Sequence, residues 1–130
     1  MRIGDSSART QAGGPAQATH RVHVNPLTFR ALSEALFKLS VREHITCSPR
    51  RLLTEVLTDP GNQIFNLSVN ELKDICNADA LIGTIRVNIR IDSSVNNRLR
   101  EFREHAEAQL GHPVSVLEAI QACIYVITRG

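Results

Sequence analysis

The side chains with most to offer chemically stand at every second position of "TIRVNIRID", Thr84 to Asp92. Arg86, Asn88 and Arg90 share one side of a two-residue alternation, and Ile85, Val87, Ile89 and Ile91 take the other. Guanidinium and amide groups form hydrogen bonds and carry charge; they do not shuttle protons near neutral pH. A second stretch, "HRVHVN", alternates in the same way, with Val22 and Val24 on one face and Arg21, His23 and Asn25 on the other. Polar, basic outer faces on two short strands therefore pose the question of what they meet.

Other chemistries find little support. No Ser-His-Asp arrangement, no Gly-rich phosphate loop and no carboxylate pair in apolar surroundings is present, so no enzyme is expected. His20 and His23 lie three apart on a strand, which puts their rings on opposite faces; neither a metal nor another cofactor is expected. His44 and His105 sit in charged helical stretches and read as solvated. "LREFREHAE" spaces Arg100, Arg103, Glu101, Glu104 and Glu107 for surface ion pairs. Cys47, Cys76 and Cys123 are odd in number and form no C-x-x-C pair, which argues against a disulfide framework or a zinc knuckle. Cys123, within "EAIQACIYVI", reads as a small core residue. Aromatic residues are only 4% of the chain, too few for a platform that stacks single-stranded bases. A net charge of +2 is weak evidence of an anionic partner, so the distribution of charge must decide. No apolar run approaches the roughly 18 residues of a membrane span, and the N-terminal stretch lacks the apolar centre of a secretory signal, so a cytoplasmic location is expected.

Strands this short need partners and a core to sit on. Each is followed by a helical pattern. "PLTFRALSEALFKLSVREHI" starts at Pro26 and repeats apolar residues at Phe29, Leu32, Leu36 and Leu39. "SSVNNRLREFREHAEAQLG" offers Ser93 or Ser94 as a cap, repeats Val95, Leu99, Phe102, Ala106 and Leu110, and stops at Gly111. A polar break and a second helix follow in both cases. The first is "SPRRLLTEVL", capped by Ser48 and Pro49, with Leu52, Leu53, Val56 and Leu57; the second lies within "HPVSVLEAIQACIYVITRG", which is apolar nearly all round and so belongs at the centre of the core. The pattern strand, helix, turn, helix thus occurs twice, in residues 20–60 and 84–130. Residues 61–83 form a linker with a connecting helix expected over Val69–Ala80, started by a Ser68/Glu71 capping box and carrying Leu72, Ile75 and Leu81 as its apolar stripe. Residues 1–19, rich in Ala, Gly, Ser, Thr and Gln, read as a disordered tail whose Arg2 and Arg9 have little to bury against. Neither copy can bury its own faces, but two copies can pair their strands antiparallel above interlocked helices. The expected fold is mostly α with a short two-stranded antiparallel ribbon.

The stretch "RVNIRID-SSVNNRLREFREHAEAQLGHPVSVLEAI" resembles the ribbon-helix-helix family, to which the MetJ and Arc repressors belong. The resemblance implies two fused ribbon-helix-helix copies forming an intramolecular pseudo-dimer, with a two-stranded ribbon that enters the DNA major groove. Arg86, Asn88 and Arg90, together with Arg21, His23 and Asn25, would then read base edges, Arg forking onto guanine and Asn pairing with adenine. The first copy departs from the pattern in its Pro directly after the strand, its longer first helix and its His23. The starts of the two second helices would hold phosphates: Ser48, Arg50 and Arg51 in the first copy, His112, Val114 and Ser115 in the second. In its tandem form the chain looks like the TraY-type relaxosome accessory proteins of conjugative plasmids and the VirC-type virulence protein. That likeness implies double-stranded DNA as ligand, a relaxase or other DNA-processing protein as partner, and a role in plasmid transfer or in local transcription regulation, as a monomeric pseudo-dimer that can assemble further on DNA. The alternative is a protein-interaction module such as an antitoxin-like adaptor or assembly scaffold. It ranks lower because the better copy runs to Gly130 with no toxin-binding tail after it.

Overall fold

A computed structural model describes residues 17–129. Strand β1 (Gln17–Val24) leads into helices α1 (Pro26–Glu43) and α2 (Pro49–Leu57). A connecting region follows, with a 3-10 turn (Gln63–Asn66), the short helix α3 (Val69–Ile75) and a second 3-10 turn (Ala78–Ala80). Strand β2 (Ile85–Asp92), α4 (Ser93–Leu110) and α5 (Val116–Arg129) follow, so the described residues are mostly helical, with five α-helices and one two-stranded sheet.

The two strands pair antiparallel in the register Gln17↔Asp92 through Val24↔Ile85. Their alternation places Val22, Val24, Val87, Ile89 and Ile91 inward and buried. β1 begins three residues earlier than expected: Gln17, Ala18 and Thr19, assigned to the tail, are strand residues paired with Asp92, Ile91 and Arg90. Residues 1–16 of that tail, Arg2 and Arg9 among them, and Gly130 lie outside the described residues.

Local signals account for most helix boundaries. Asn25 caps α1 by accepting from the Thr28 N–H at 2.8 Å, and Ser48 caps α2 by accepting from Arg51. Ser68 and Glu71 form the expected reciprocal box at α3. Gly111, at φ 80°, closes α4 with its N–H on the Glu107 carbonyl at 2.7 Å, a left-handed geometry that suits glycine. Three expectations shift. Asp92, rather than Ser93 or Ser94, holds the cap position of α4, and its carboxylate turns away to Gln17 and Arg50. α3 stops at Ile75 instead of Ala80, because the chain tightens into the Ala78–Ala80 turn to reach β2. α5 starts only at Val116, since Ser115 and Glu118 make a second capping box, with Ser115 N–H on Glu118 at 2.8 Å and Glu118 N–H on the Ser115 hydroxyl at 3.1 Å.

α5 is the hub. It packs on α1, α2, α3 and α4 and beneath β1, while α2 packs on β2 and α4. Leu117, Ala119, Ile120, Ala122, Cys123, Ile124 and Ile127 are all buried along it, as its continuous apolar sequence required. The buried face of α4 is the expected Val95, Leu99, Phe102 and Ala106. That of α1 is rotated from expectation to Thr28, Leu32, Ala35 and Leu39, leaving Phe29 exposed and Leu36 at the edge of the core. The small side chain of Ala35, fully buried, lies on the face α1 turns to α5, where it permits close helix approach. Phe65 of the connecting region stacks edge-on against Phe102 at 5.8 Å and lies under Arg98, which donates to the Leu57 carbonyl at 3.0 Å. His105, expected to be solvated, packs half-buried at 5.5 Å from the Phe65 ring.

The connecting region is fastened to the end of β1. Asn25 N–H donates to the Leu81 carbonyl (2.9 Å), Asn25 Nδ2 to the Ala80 carbonyl (2.8 Å), and Gly83 N–H to the His23 carbonyl (3.2 Å). A Cβ on Gly83 would stand 2.4 Å from the Asn25 Cα and 2.6 Å from the Val24 oxygen. Only glycine allows this approach of backbone to backbone.

Candidate nucleic-acid interface

The register decides which polar side chains share a surface. His23 stands opposite Arg86, Arg21 opposite Asn88 and Thr19 opposite Arg90. All six are exposed and lie on the face turned away from the helices. Directly opposed residues have Cβ atoms about 4.5–5.5 Å apart, so these side chains form one contiguous donor-rich plate. Among the described residues, Arg21, Arg86 and Arg90 have no carboxylate partner, in contrast to Arg50, Arg51, Arg98 and Arg129, each of which pairs with an acid. Three cations without counter-charges on so small an area set up a positive potential and leave guanidinium donors ready for acceptors.

The remaining residues singled out in the sequence fare unequally. Asn25 is not part of the plate. β1 ends at Val24, and both polar atoms of the Asn25 side chain are engaged in capping α1 and holding Ala80. His20, on the opposite face from His23, meets Asn96 of α4 with 2.7 Å between Nε2 and Oδ1. Among the described residues, no group of three His, Cys, Asp or Glu is arranged to hold a metal ion.

The start of α2 lies beside one end of the plate, because Arg50 Nη2 reaches Asp92 Oδ1 at 3.0 Å. Pro49 has no N–H and the Arg51 N–H is taken by Ser48, which leaves the Arg50 N–H and guanidinium facing a shallow groove shared with Thr46, Thr54 and Asp92. Arg51 is committed elsewhere, at 2.8 Å from Glu55 and 3.3 Å from Glu43; the Glu55 charge is the chief reason its pKa is raised. Both arginines at this helix start are thus ion-paired, Arg50 to the single carboxylate of Asp92 and Arg51 to two, Glu55 and Glu43.

The corresponding start of α5 is closed to anions, contrary to expectation. Glu118 places a buried carboxylate against the Ser115 N–H, and the Ser115 hydroxyl accepts from Glu118 in return. A second negative charge there would be repelled and would find both groups occupied. Val114 is buried, its carbonyl taken by Arg103 at 2.8 Å, and His112 Nδ1 lies 3.1 Å from the Pro113 carbonyl. The box is written in the sequence as Ser115-Val116-Leu117-Glu118, the same S-x-x-E signature read correctly at Ser68. Gln17 and Thr19 join the ribbon beyond the expected start at His20, an extension that Ala18 signals by continuing the alternation.

The cysteines are buried and free, with burial pushing Cys123 up to about 12 and Cys76 up to about 11, the latter helped by nearby Glu118. No helix among the described residues is long and apolar enough to cross a membrane. No family model matches the chain, and neither does any curated protein or solved structure.

Proposed function

We propose that this chain binds double-stranded DNA by laying its two-stranded ribbon in the major groove, with two fused ribbon-helix-helix copies acting as an intramolecular pseudo-dimer. The observation that carries the reading is the register. It aligns Arg21, His23, Arg86, Asn88 and Arg90 on one exposed face whose arginines have no acidic partner. Eight residues of strand span roughly 27 Å at about 3.4 Å per residue, and a two-stranded ribbon fits a groove about 12 Å wide. Arg86, Arg90 and Arg21 would fork onto guanine edges and Asn88 would pair with adenine, while Arg50 and the Ser48-capped start of α2 hold the backbone. The exchange of partners supports the pseudo-dimer: α2 of the first copy packs on β2 of the second, and α5 of the second packs beneath β1 of the first. The likeness to tandem family members extends the reading to a plasmid-transfer accessory protein, working with a relaxase, or to a local transcription regulator.

Fluorescence anisotropy on random duplex DNA at several salt concentrations tests this, with Arg86→Ala/Arg90→Ala alongside. Binding should weaken steeply with salt, and the double variant should bind less tightly with a salt slope smaller by about 2, one for each lost cation. A protein that does not bind at low salt, or a double variant that binds like the parent, refutes the reading.

A further inference from the structure

The outward alternation of β2 does not stop at Arg90. It runs to the last residue of the strand, with Val87, Ile89 and Ile91 buried and Arg86, Asn88, Arg90 and then Asp92 on the opposite face. The register sets Asp92 against Gln17, so the plate has a fourth rung. Each of the other three carries an arginine, whereas this one carries an acid. A negative charge at the end of a basic plate weakens its attraction for phosphates, so it must serve something else. Resting on the ribbon reading above, we propose that Asp92 is a further specificity-determining residue, whose carboxylate selects a cytosine beside the base met by Arg90.

The contacts of Asp92 leave it able to do this. It stands at the cap position of α4 yet makes no side-chain hydrogen bond to that helix. Instead Oδ1 accepts from Gln17 Nε2 at 3.3 Å and from Arg50 Nη2 at 3.0 Å, which ties the carboxylate to the opposite strand and to α2. Among the described residues Oδ2 has no hydrogen-bond partner, and the side chain is 38% exposed, open to a ligand lying on the plate. A carboxylate accepts hydrogen bonds and donates none. Guanine turns N7 and O6 toward the major groove and thymine turns O4, acceptors that repel it; adenine sets its N6 donor beside the acceptor N7; cytosine shows the N4 amino group alone. Arginine and asparagine on the inner rungs favour guanine and adenine, so Asp92 adds a preference those residues lack. Two residues of strand advance about 7 Å and bases follow one another at about 3.4 Å, which puts this cytosine on the order of two base steps from the base met by Arg90.

A residue that served only to hold Arg50 would behave differently, because losing a phosphate contact weakens all sequences alike. Selection from a randomised duplex library with the parent protein, Asp92→Asn, Arg90→Ala and Arg50→Ala, followed by anisotropy on selected and random duplexes, separates the two roles. The parent should select a cytosine roughly two steps from the position that Arg90→Ala relaxes. Asp92→Asn should replace that cytosine by adenine, which an amide can pair with, and should bind random duplex more tightly. The ratio of selected to random affinity should fall roughly five- to tenfold, the lower range for one mismatched base pair. Arg50→Ala should leave the cytosine in place. The amide still offers Gln17 and Arg50 an acceptor, so thermal unfolding of Asp92→Asn should match the parent. A selected site without that cytosine, an Asp92→Asn site identical to the parent's, or an Asp92→Asn variant weakened evenly across sequences overturns the proposal while the ribbon reading stands. A parent protein that binds no duplex at low salt removes the ribbon reading and this inference with it.

Discussion

Replacing Gly83 by alanine should damage this protein more than any exposed substitution of similar size. The added methyl would lie 2.4 Å from the Asn25 Cα, 2.6 Å from the Asn25 nitrogen and 2.6 Å from the Val24 oxygen. All three are backbone atoms, so no rotamer change can relieve the clash; the two segments must separate by about 1 Å to restore ordinary contact. That movement stretches the Gly83 N–H bond to His23 (3.2 Å) and the Asn25 N–H bond to Leu81 (2.9 Å) beyond useful length. Overpacking costs about 1–3 kcal/mol and each lost backbone bond about 1 kcal/mol, giving a destabilisation on the order of 3–5 kcal/mol. Against a typical total of roughly 5–15 kcal/mol, this should lower Tm by about 15–25 °C. Urea titration and thermal circular dichroism measure both quantities. A Gly83→Ala protein within about 1 kcal/mol of the parent would show that the connecting region does not need this close approach, and the account of how the ribbon end is held would fail.

Two further outcomes follow from the charges. Glu71 accepts from the Ser68 N–H and from Tyr125 Oη at 2.6 Å, and pairs with Arg129, which together hold its carboxyl down to about 2. A carboxylate stabilised in this way contributes stability that is complete above its ordinary value near 4.5 and disappears as pH falls toward 2. Acid unfolding followed between those limits should therefore be shallower in Glu71→Gln, and an unchanged profile would refute the role given to this cluster. If the reading of the ribbon is right, Arg50→Ala should weaken DNA binding evenly across sequences and reduce the salt slope by about 1, whereas His112→Ala should do neither; equal effects would contradict the closed start of α5.

The elements of the fold were legible in the sequence where period and cap agreed. Val95, Leu99, Phe102 and Ala106 followed the helical period and are the buried face of α4; Ser68 and Glu71 announced α3; the all-round apolar stretch near Cys123 is the hub helix. Two of the failures share one physical origin, competition for the same polar group. Asn25 continues the alternation of β1, but one residue before Pro26 its amide does better as a cap and as a tie to Ala80. Asp92 gives up capping α4 for Gln17 and Arg50. On α1 the period alone could not rank Phe29 against Ala35, because which face is buried depends on how closely α5 approaches. The plate itself was legible as two alternating strands. Its register was not, and the register is what puts His23 beside Arg86 and Arg21 beside Asn88.

On the proposed reading, fusing two copies in one chain removes a constraint that a symmetric dimer must obey, because each position then occurs once. A homodimer ribbon shows the same side chains to both half-sites, whereas here β1 shows Thr19, Arg21 and His23 and β2 shows Arg86, Asn88 and Arg90. The flanking helix starts differ as well: α2 offers Arg50, while α5 is closed by Glu118. If the ribbon reads DNA, the half-site facing β2 gains up to two guanine forks and an adenine pair, while the one facing β1 gains a single fork plus imidazole and hydroxyl contacts. Good bidentate pairs discriminate by about 1–3 kcal/mol each, so the β2 half-site should be read more strictly by roughly ten- to a hundred-fold per extra pair. Selection from a randomised duplex library should accordingly return two unequal half-sites, one well defined and one degenerate. Exchanging Arg21 with Asn and His23 with Arg in β1 should sharpen the degenerate half. A library that converges on a strict palindrome with the parent protein would mean that the two strands are read alike, and the argument from register to specificity would have to be abandoned.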